Sequence, residues 1–270
     1  MVTSSTSTDQ TNGLWWANKV PAVTLLFWLI KICATTLGET AGDAVTKDEG
    51  LNLGYGLGTA IFLPIFLVLA AAQIASRRLH PFLYWGVVLA TTTVGTTISD
   101  YLDRTAGFGY AYSSLVEFGL VLLILFAWKQ TTGAIQFETI TNRTNELFYW
   151  SAILVSNTLG TALGDFAADD KGLNLGFRGG AALFGGLLVL VAAAYYFTKI
   201  PRVYLFWAAF VLSRPLGATL GDVLTREHEE GGLELGPIWS TVSIAIVMVV
   251  LIFVNSRRRA ATRNAAGPPS

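Results

Sequence analysis

Cysteine occurs once in the 270-residue chain, at Cys33, and histidine twice, at His80 and His228. A lone cysteine inside an apolar run excludes an internal disulfide framework, and so few thiols and imidazoles exclude the ligand sets of zinc enzymes. Charge is scarce as well. Only 13% of residues are Asp, Glu, Lys or Arg, about half the share of a soluble domain, and the 18 bases cancel the 18 acids. No nucleophile stands at a recognisable spacing from a base, so the chain does not read as an enzyme, and nothing in it implies a cofactor or a nucleic-acid partner. A cleavable signal is not expected either: Met1 to Gln10 lack a basic segment, and the apolar stretch that follows is too long.

What the chain has is apolar length. Hydrophobic residues make up 53% of it, gathered in runs of about 20 that an α-helix needs to cross the hydrocarbon core, around Ala60–Ala75, Leu115–Trp128, Ala181–Phe197 and Ile238–Val254. The expected fold is an all-α polytopic membrane protein in contact with lipid, with helices at 21–44, 54–76, 81–103, 110–129, 146–168, 176–198, 202–225 and 236–255. A polar tail (1–20) would precede a first half (21–140), a second half (141–256) and a basic tail (257–270) without structure of its own. Connections after the even helices carry Arg77, Arg78, Lys129, Arg143, Lys199 and Arg202, joined on that side by Lys19 and the tail arginines. Fewer bases, Lys47, Arg104, Lys171, Arg178 and Arg226, lie on the other side, which by the positive-inside rule puts both termini in the cytoplasm.

The chain also repeats itself. Trp28, Trp85, Trp150 and Trp207 are each followed ten residues later by Gly38, Gly95, Gly160 and Gly217, and fifteen residues later by Asp43, Asp100, Asp165 and Asp222. Before each Asp stands Gly42, Ser99, Gly164 or Gly221, and chance does not hold such spacings through four segments. The loops echo the pattern in Gly50-Leu51-Asn52-Leu53-Gly54, Gly172-Leu173-Asn174-Leu175-Gly176 and Gly232-Leu233-Glu234-Leu235-Gly236, with repeat two divergent. Each repeat holds two helices, so all four enter the membrane in the same direction, as parallel repeats in two pseudo-symmetric halves.

The stretches Asn18-Lys19-Val20-Pro21, Lys31 to Thr40, Leu159 to Asp165 and Arg214 to Thr219 resemble a family of uncharacterised bacterial membrane proteins built of four tandem two-helix repeats, each with a characteristic tryptophan. The resemblance covers nearly all of residues 18–255 and implies that architecture and a bacterial inner-membrane address. It carries no activity, so function rests on the residues.

Glycines four apart on one face let helices approach closely in lipid. Beside them, seven, eleven and fifteen residues after each Trp, run polar columns: Thr35, Glu39 and Asp43, extended by Lys31; Thr92, Thr96 and Asp100; Asn157, Thr161 and Asp165; Arg214, Ala218 and Asp222. The odd helices should therefore meet along these columns, with polar groups lining an interior. At bilayer depth Glu39, Asp43, Asp100, Glu117, Asp165 and Asp222 outnumber Lys31 and Arg214, and intramembrane charges mark ion paths or relays by default.

An aspartate in the last turn of a helix also opposes the macrodipole, so four copies require a reason. Cation or proton binding is one reading and loop-capping hydrogen bonds at the interface the other. Lys31 and Arg214 are expected to neutralise buried acids, with Glu117 as their partner or a proton carrier. The tryptophans read as interface anchors or packing residues.

The functional expectation is a transporter or exchanger for a small cation coupled to protons, with a Mn-like divalent metal held by Glu39, Asp43, Asp165 and Asp222, and Asp100 a weaker member. Oxygen ligands suit such hard ions. The alternative is a membrane protein that does not transport, whose acids hold the bundle together or bind a partner.

Overall fold

The structure, a computed structural model, describes residues 19–76, 78–135, 140 and 142–265. The expected N-terminal tail up to residue 18, Arg77 and residues 266–270 lie outside the described residues. Among the described residues eight α-helices follow one another: α1 (Leu25–Thr46), α2 (Gly54–Ala75), α3 (Pro81–Asp100), α4 (Tyr110–Thr132), α5 (Arg143–Ala168), α6 (Gly176–Phe197), α7 (Arg202–Thr225) and α8 (Pro237–Ala265). A π-turn, Tyr101–Thr105, extends α3, and no strand occurs among the described residues.

Helix starts follow from local chemistry. Thr24 caps α1 by accepting from the Phe27 amide, Asn142 caps α5 by accepting from Asn145, and Pro81 opens α3, where its missing amide is not needed. The basic segment after residue 256 does not lack structure as expected. It continues α8 to Ala265, because Arg and Ala are strong helix formers and cations at a C-terminus complement the macrodipole.

Seven of the helices are long and apolar enough to cross a membrane. The eighth, α5, is more polar because it lies inside, packed on α3, α4 and α7, with Asn145, Asn157, Thr161 and Asp165 all buried. The protein is thus an all-α polytopic membrane protein. Its odd helices form a closed ring in which α1 packs on α3, α3 on α5, α5 on α7 and α7 on α1. Each even helix lies outside and packs chiefly on the odd helix of the next repeat: α2 on α3, α4 on α5, α6 on α7, and α8 back on α1. Repeats interlock, and the last closes on the first.

The repeated glycines make the ring. A Cβ at Gly38 would run into Thr92, at Gly95 into the Asn157–Thr158 backbone, at Gly160 into Arg214, and at Gly217 into Thr35. Glycine ten residues after each tryptophan thus receives the residue seven after the next one, around the full circle. A turn further on, Gly42 meets Thr96, Gly164 meets Ala218 and Gly221 meets Glu39.

The tryptophans are packing residues. Trp85, Trp150 and Trp207 are buried, and the aromatic just before each tryptophan packs at a tilt or edge-on against the next repeat's indole: Phe27 on Trp85 at 5.3 Å, Tyr84 on Trp150 at 5.5 Å, Tyr149 on Trp207 at 6.2 Å and Phe206 on Trp28 at 5.8 Å between centroids. This Phe/Tyr-Trp pair closes one end of the ring with an aromatic layer.

At the other end the glycine-leucine loops fold back onto their helices. Leu51 donates to Ala44, Leu173 to Phe166 and Leu233 to Val223, satisfying carbonyls that a helix end leaves free. Asn52, Asn174 and Glu234 adopt left-handed backbone there, at φ 52°, 51° and 55°. Asn is among the residues that tolerate this region, whereas Glu234 is strained.

Candidate functional site

The polar columns meet on the ring axis in layers. Next to the aromatic layer, the buried Lys31 ammonium bonds Asn157 at 3.3 Å and stands 4.1 Å from the centre of the Phe210 ring, while Asn157 donates to Thr91 at 2.8 Å. Among the described residues Lys31 thus has no acidic partner, contrary to expectation; an amide and a ring face stabilise it instead.

One layer on, Nη2 of Arg214 donates to Glu39 at 2.8 Å, to Thr96 at 2.5 Å and to Thr161 at 2.8 Å. One guanidinium on α7 thereby ties together α1, α3 and α5, and Arg214 does neutralise a buried acid.

The third layer, at the loop end, holds the four aspartates. Asp43 pairs with Lys47 at 2.8 Å; Lys47 also lies 3.9 Å from Asp222, which pairs with Arg226 at 3.3 Å. Arg104 bridges Asp100 at 3.1 Å and Asp165 at 3.3 Å. This accounts for acids placed against the helix dipole. In three repeats the residue four positions later is a base that returns along the helix end, and in repeat three, where that position is Asp169, Arg104 arrives from the neighbouring helix. The excess of acids on the axis therefore disappears: Lys31, Arg214, Lys47, Arg104 and Arg226 stand against Glu39, Asp43, Asp100, Asp165 and Asp222. The sequence reading missed the three bases by assigning them to loops, although the Asp-to-base spacing is visible.

Of the expected ligands, Glu39, Asp43 and Asp222 are brought together, each buried and offering a carboxylate oxygen within 4.8 Å of the others. Asp165 does not join them; it belongs to the Arg104 bridge with Asp100. A cavity of about 10 Å³ lined by Asp43, Lys47, Thr225 and Arg226 adjoins the cluster, room for about one water. Burial alone would lower the Lys47 ammonium, but Asp43 and then Asp222 outweigh it and hold it above its ordinary value, so this built-in cation keeps its charge. At the rim, burial would raise the Asp169 carboxyl, but the Lys171 amide outweighs it and holds it below its usual range.

Thr35, which donates to the Ser213 carbonyl at 3.2 Å, and Thr92, which donates to that of Ala34 at 3.1 Å, complete the helix contacts. Glu117 is on α4, outside the ring, and pairs with neither Lys31 nor Arg214; both of its oxygens lack a hydrogen-bond partner. The even helices lie outside the ring, and α4 holds Glu117 away from its axis.

Fold and site together define a repeat-built membrane protein with a charged axis. The family described as Repeat of Unknown Function (DUF347) matches residues 26–79, 83–133, 148–200 and 205–261, one two-helix unit each, and the chain belongs to this family. No curated protein and no solved structure matches it.

Proposed function

We propose that the protein is a transporter or exchanger for a small divalent cation, coupled to protons, with Glu39, Asp43 and Asp222 as the ion's ligands and Lys47 as the counter-ion it displaces. One observation carries the reading: three carboxylates from α1 and α7 within 4.8 Å of one another, all buried. Like charges so close in a low dielectric need a cation or protons among them, and the Lys47 ammonium, which reaches Asp43 and Asp222, supports the reading of a cluster that takes one. Hard oxygen ligands favour Mn, Mg or Ca over softer metals. The basic bias of the even-helix connections and the family resemblance support a bacterial inner membrane with both termini in the cytoplasm.

In proteoliposomes the wild type is expected to move Mn²⁺ with a pH dependence, and Asp43→Asn and Asp222→Asn to stop that movement while keeping the wild-type tryptophan emission. Absence of flux for every divalent and alkali cation, or normal flux in both variants, overturns the reading. A second reading, in which the charges only hold the ring together, is favoured by Arg214 and Arg104, each of which ties helices of different repeats. It takes over on that outcome.

A further inference from the structure

Repeat two departs from the fourfold pattern at two places, one on each side of the connection between α3 and α4. After Asp100 the chain makes a π-turn where the other repeats make a glycine-leucine loop, and it places an acid, Asp103, where they have Thr46, Ala168 and Thr225. Eight residues after the loop's last glycine, α4 carries Glu117, where the other even helices have Phe62, Phe184 and Ile244. The fold brings the two exceptions together. The π-turn packs on α4, and Asp103 is the acid close enough to Glu117 to act on it electrostatically, with Ser113 one turn before Glu117 on α4.

Both acids are buried, with Asp103 7% and Glu117 6% exposed. Neither Glu117 oxygen has a hydrogen-bond partner, nor has Oδ1 of Asp103, nor the buried hydroxyls of Ser113 and Ser114. Ser99 donates to the other Asp103 oxygen at 3.4 Å. Arg104, the neighbouring base, is engaged with Asp100 and Asp165. Five polar atoms without partners on one buried face mark a place where something is bound, because a buried polar group left unsatisfied is costly. A π-turn is itself a frequent companion of functional sites.

We propose that Asp103, Glu117 and the hydroxyls of Ser99, Ser113 and Ser114 form a second cation site, off the ring axis between the π-turn and α4, for a hard divalent cation of calcium's class. Two carboxylates cancel a double positive charge, which is the arrangement a low dielectric demands. Carboxylates and hydroxyls together approach the roughly six to eight oxygens that calcium takes, in the flexible geometry it tolerates; magnesium demands stricter octahedral placement. The site is independent of the ring cluster and of whether that cluster transports.

The test uses the purified full-length protein in detergent, with equilibrium binding of ⁴⁵Ca²⁺ and thermal unfolding followed by tryptophan fluorescence. Wild type should show saturable binding and a calcium-dependent rise in melting temperature. In an Asp43→Asn background, which removes the ring cluster's share of the binding, Glu117→Gln and Asp103→Asn should each weaken the remaining binding at least about 10-fold, since ligand charge sets affinity at such sites. If those two variants fail to fold, Ser113→Ala combined with Ser114→Ala keeps both acids and should still weaken binding. Calcium that does not bind, as a merely protonated acid pair would give, overturns the proposal. So does binding that Asp43→Asn abolishes altogether, or that the double serine variant leaves unaltered.

Discussion

Nη2 of Arg214 lies 2.8 Å from Oε2 of Glu39, and this fully buried pair joins the first odd helix to the last. Removing one partner leaves a charge in a low dielectric, whereas removing both leaves none. Arg214→Leu should therefore cost roughly 3–5 kcal/mol and lower the melting temperature, and adding Glu39→Leu should restore most of it. Thermal unfolding of the two single variants and the double variant checks this; additive losses would mean that the pair is not coupled.

The glycines at the ring contacts differ in kind from those on the outside. Gly38→Ala and Gly217→Ala drive a methyl into Thr92 and Thr35 and should cost about 1–3 kcal/mol each, with the larger Gly160→Leu and Gly217→Leu preventing assembly. Gly119 on α4 has nothing within 4 Å of an added Cβ, so Gly119→Ala should be neutral or stabilise by up to about 1 kcal/mol. Yield, monodispersity and melting temperature read both classes.

Lys47 holds Asp43 and Asp222 as an internal cation. Lys47→Met should strengthen Mn²⁺ binding to the ring cluster by about 10-fold, or 1.4 kcal/mol, because the ion no longer competes with an ammonium. Its pH behaviour follows from the raised Lys47 value: the folded state holds this proton more tightly than the unfolded chain, so its contribution is complete below the ordinary lysine pKa and fades only as pH rises past it. The gap in melting temperature between wild type and Lys47→Met should therefore stay constant from about pH 8 to pH 10 and narrow above. Calorimetric binding of Mn²⁺ and a pH series of melts check the two halves.

Reporter fusions at Asp48, Asp170 and Glu229, in the loops after α1, α5 and α7, should all behave as periplasmic. A cytoplasmic signal at any one of them overturns the proposed orientation.

Much of the architecture is legible in the residues alone. Apolar runs of spanning length, tryptophan-to-glycine-to-aspartate spacings and the recurring loops locate all eight helices to within a few residues, apart from the far end of α8, and reveal four units. Those features are local: hydrogen bonding inside a helix and the thickness of a bilayer act on consecutive residues. The Phe/Tyr-Trp pair and the base four residues after Asp43, Asp100 and Asp222 were equally visible in the sequence. What only the tertiary structure decided is which faces meet. The closing contact of α8 on α1, the division of the acids into a Glu39–Asp43–Asp222 cluster and an Arg104 bridge, Lys31 resting on Asn157 and Phe210, and the meeting of Asp103 with Glu117 all join residues on different helical elements. A buried charge takes its partner from whatever packing brings within a few ångströms, and here close approach at glycine sets that packing.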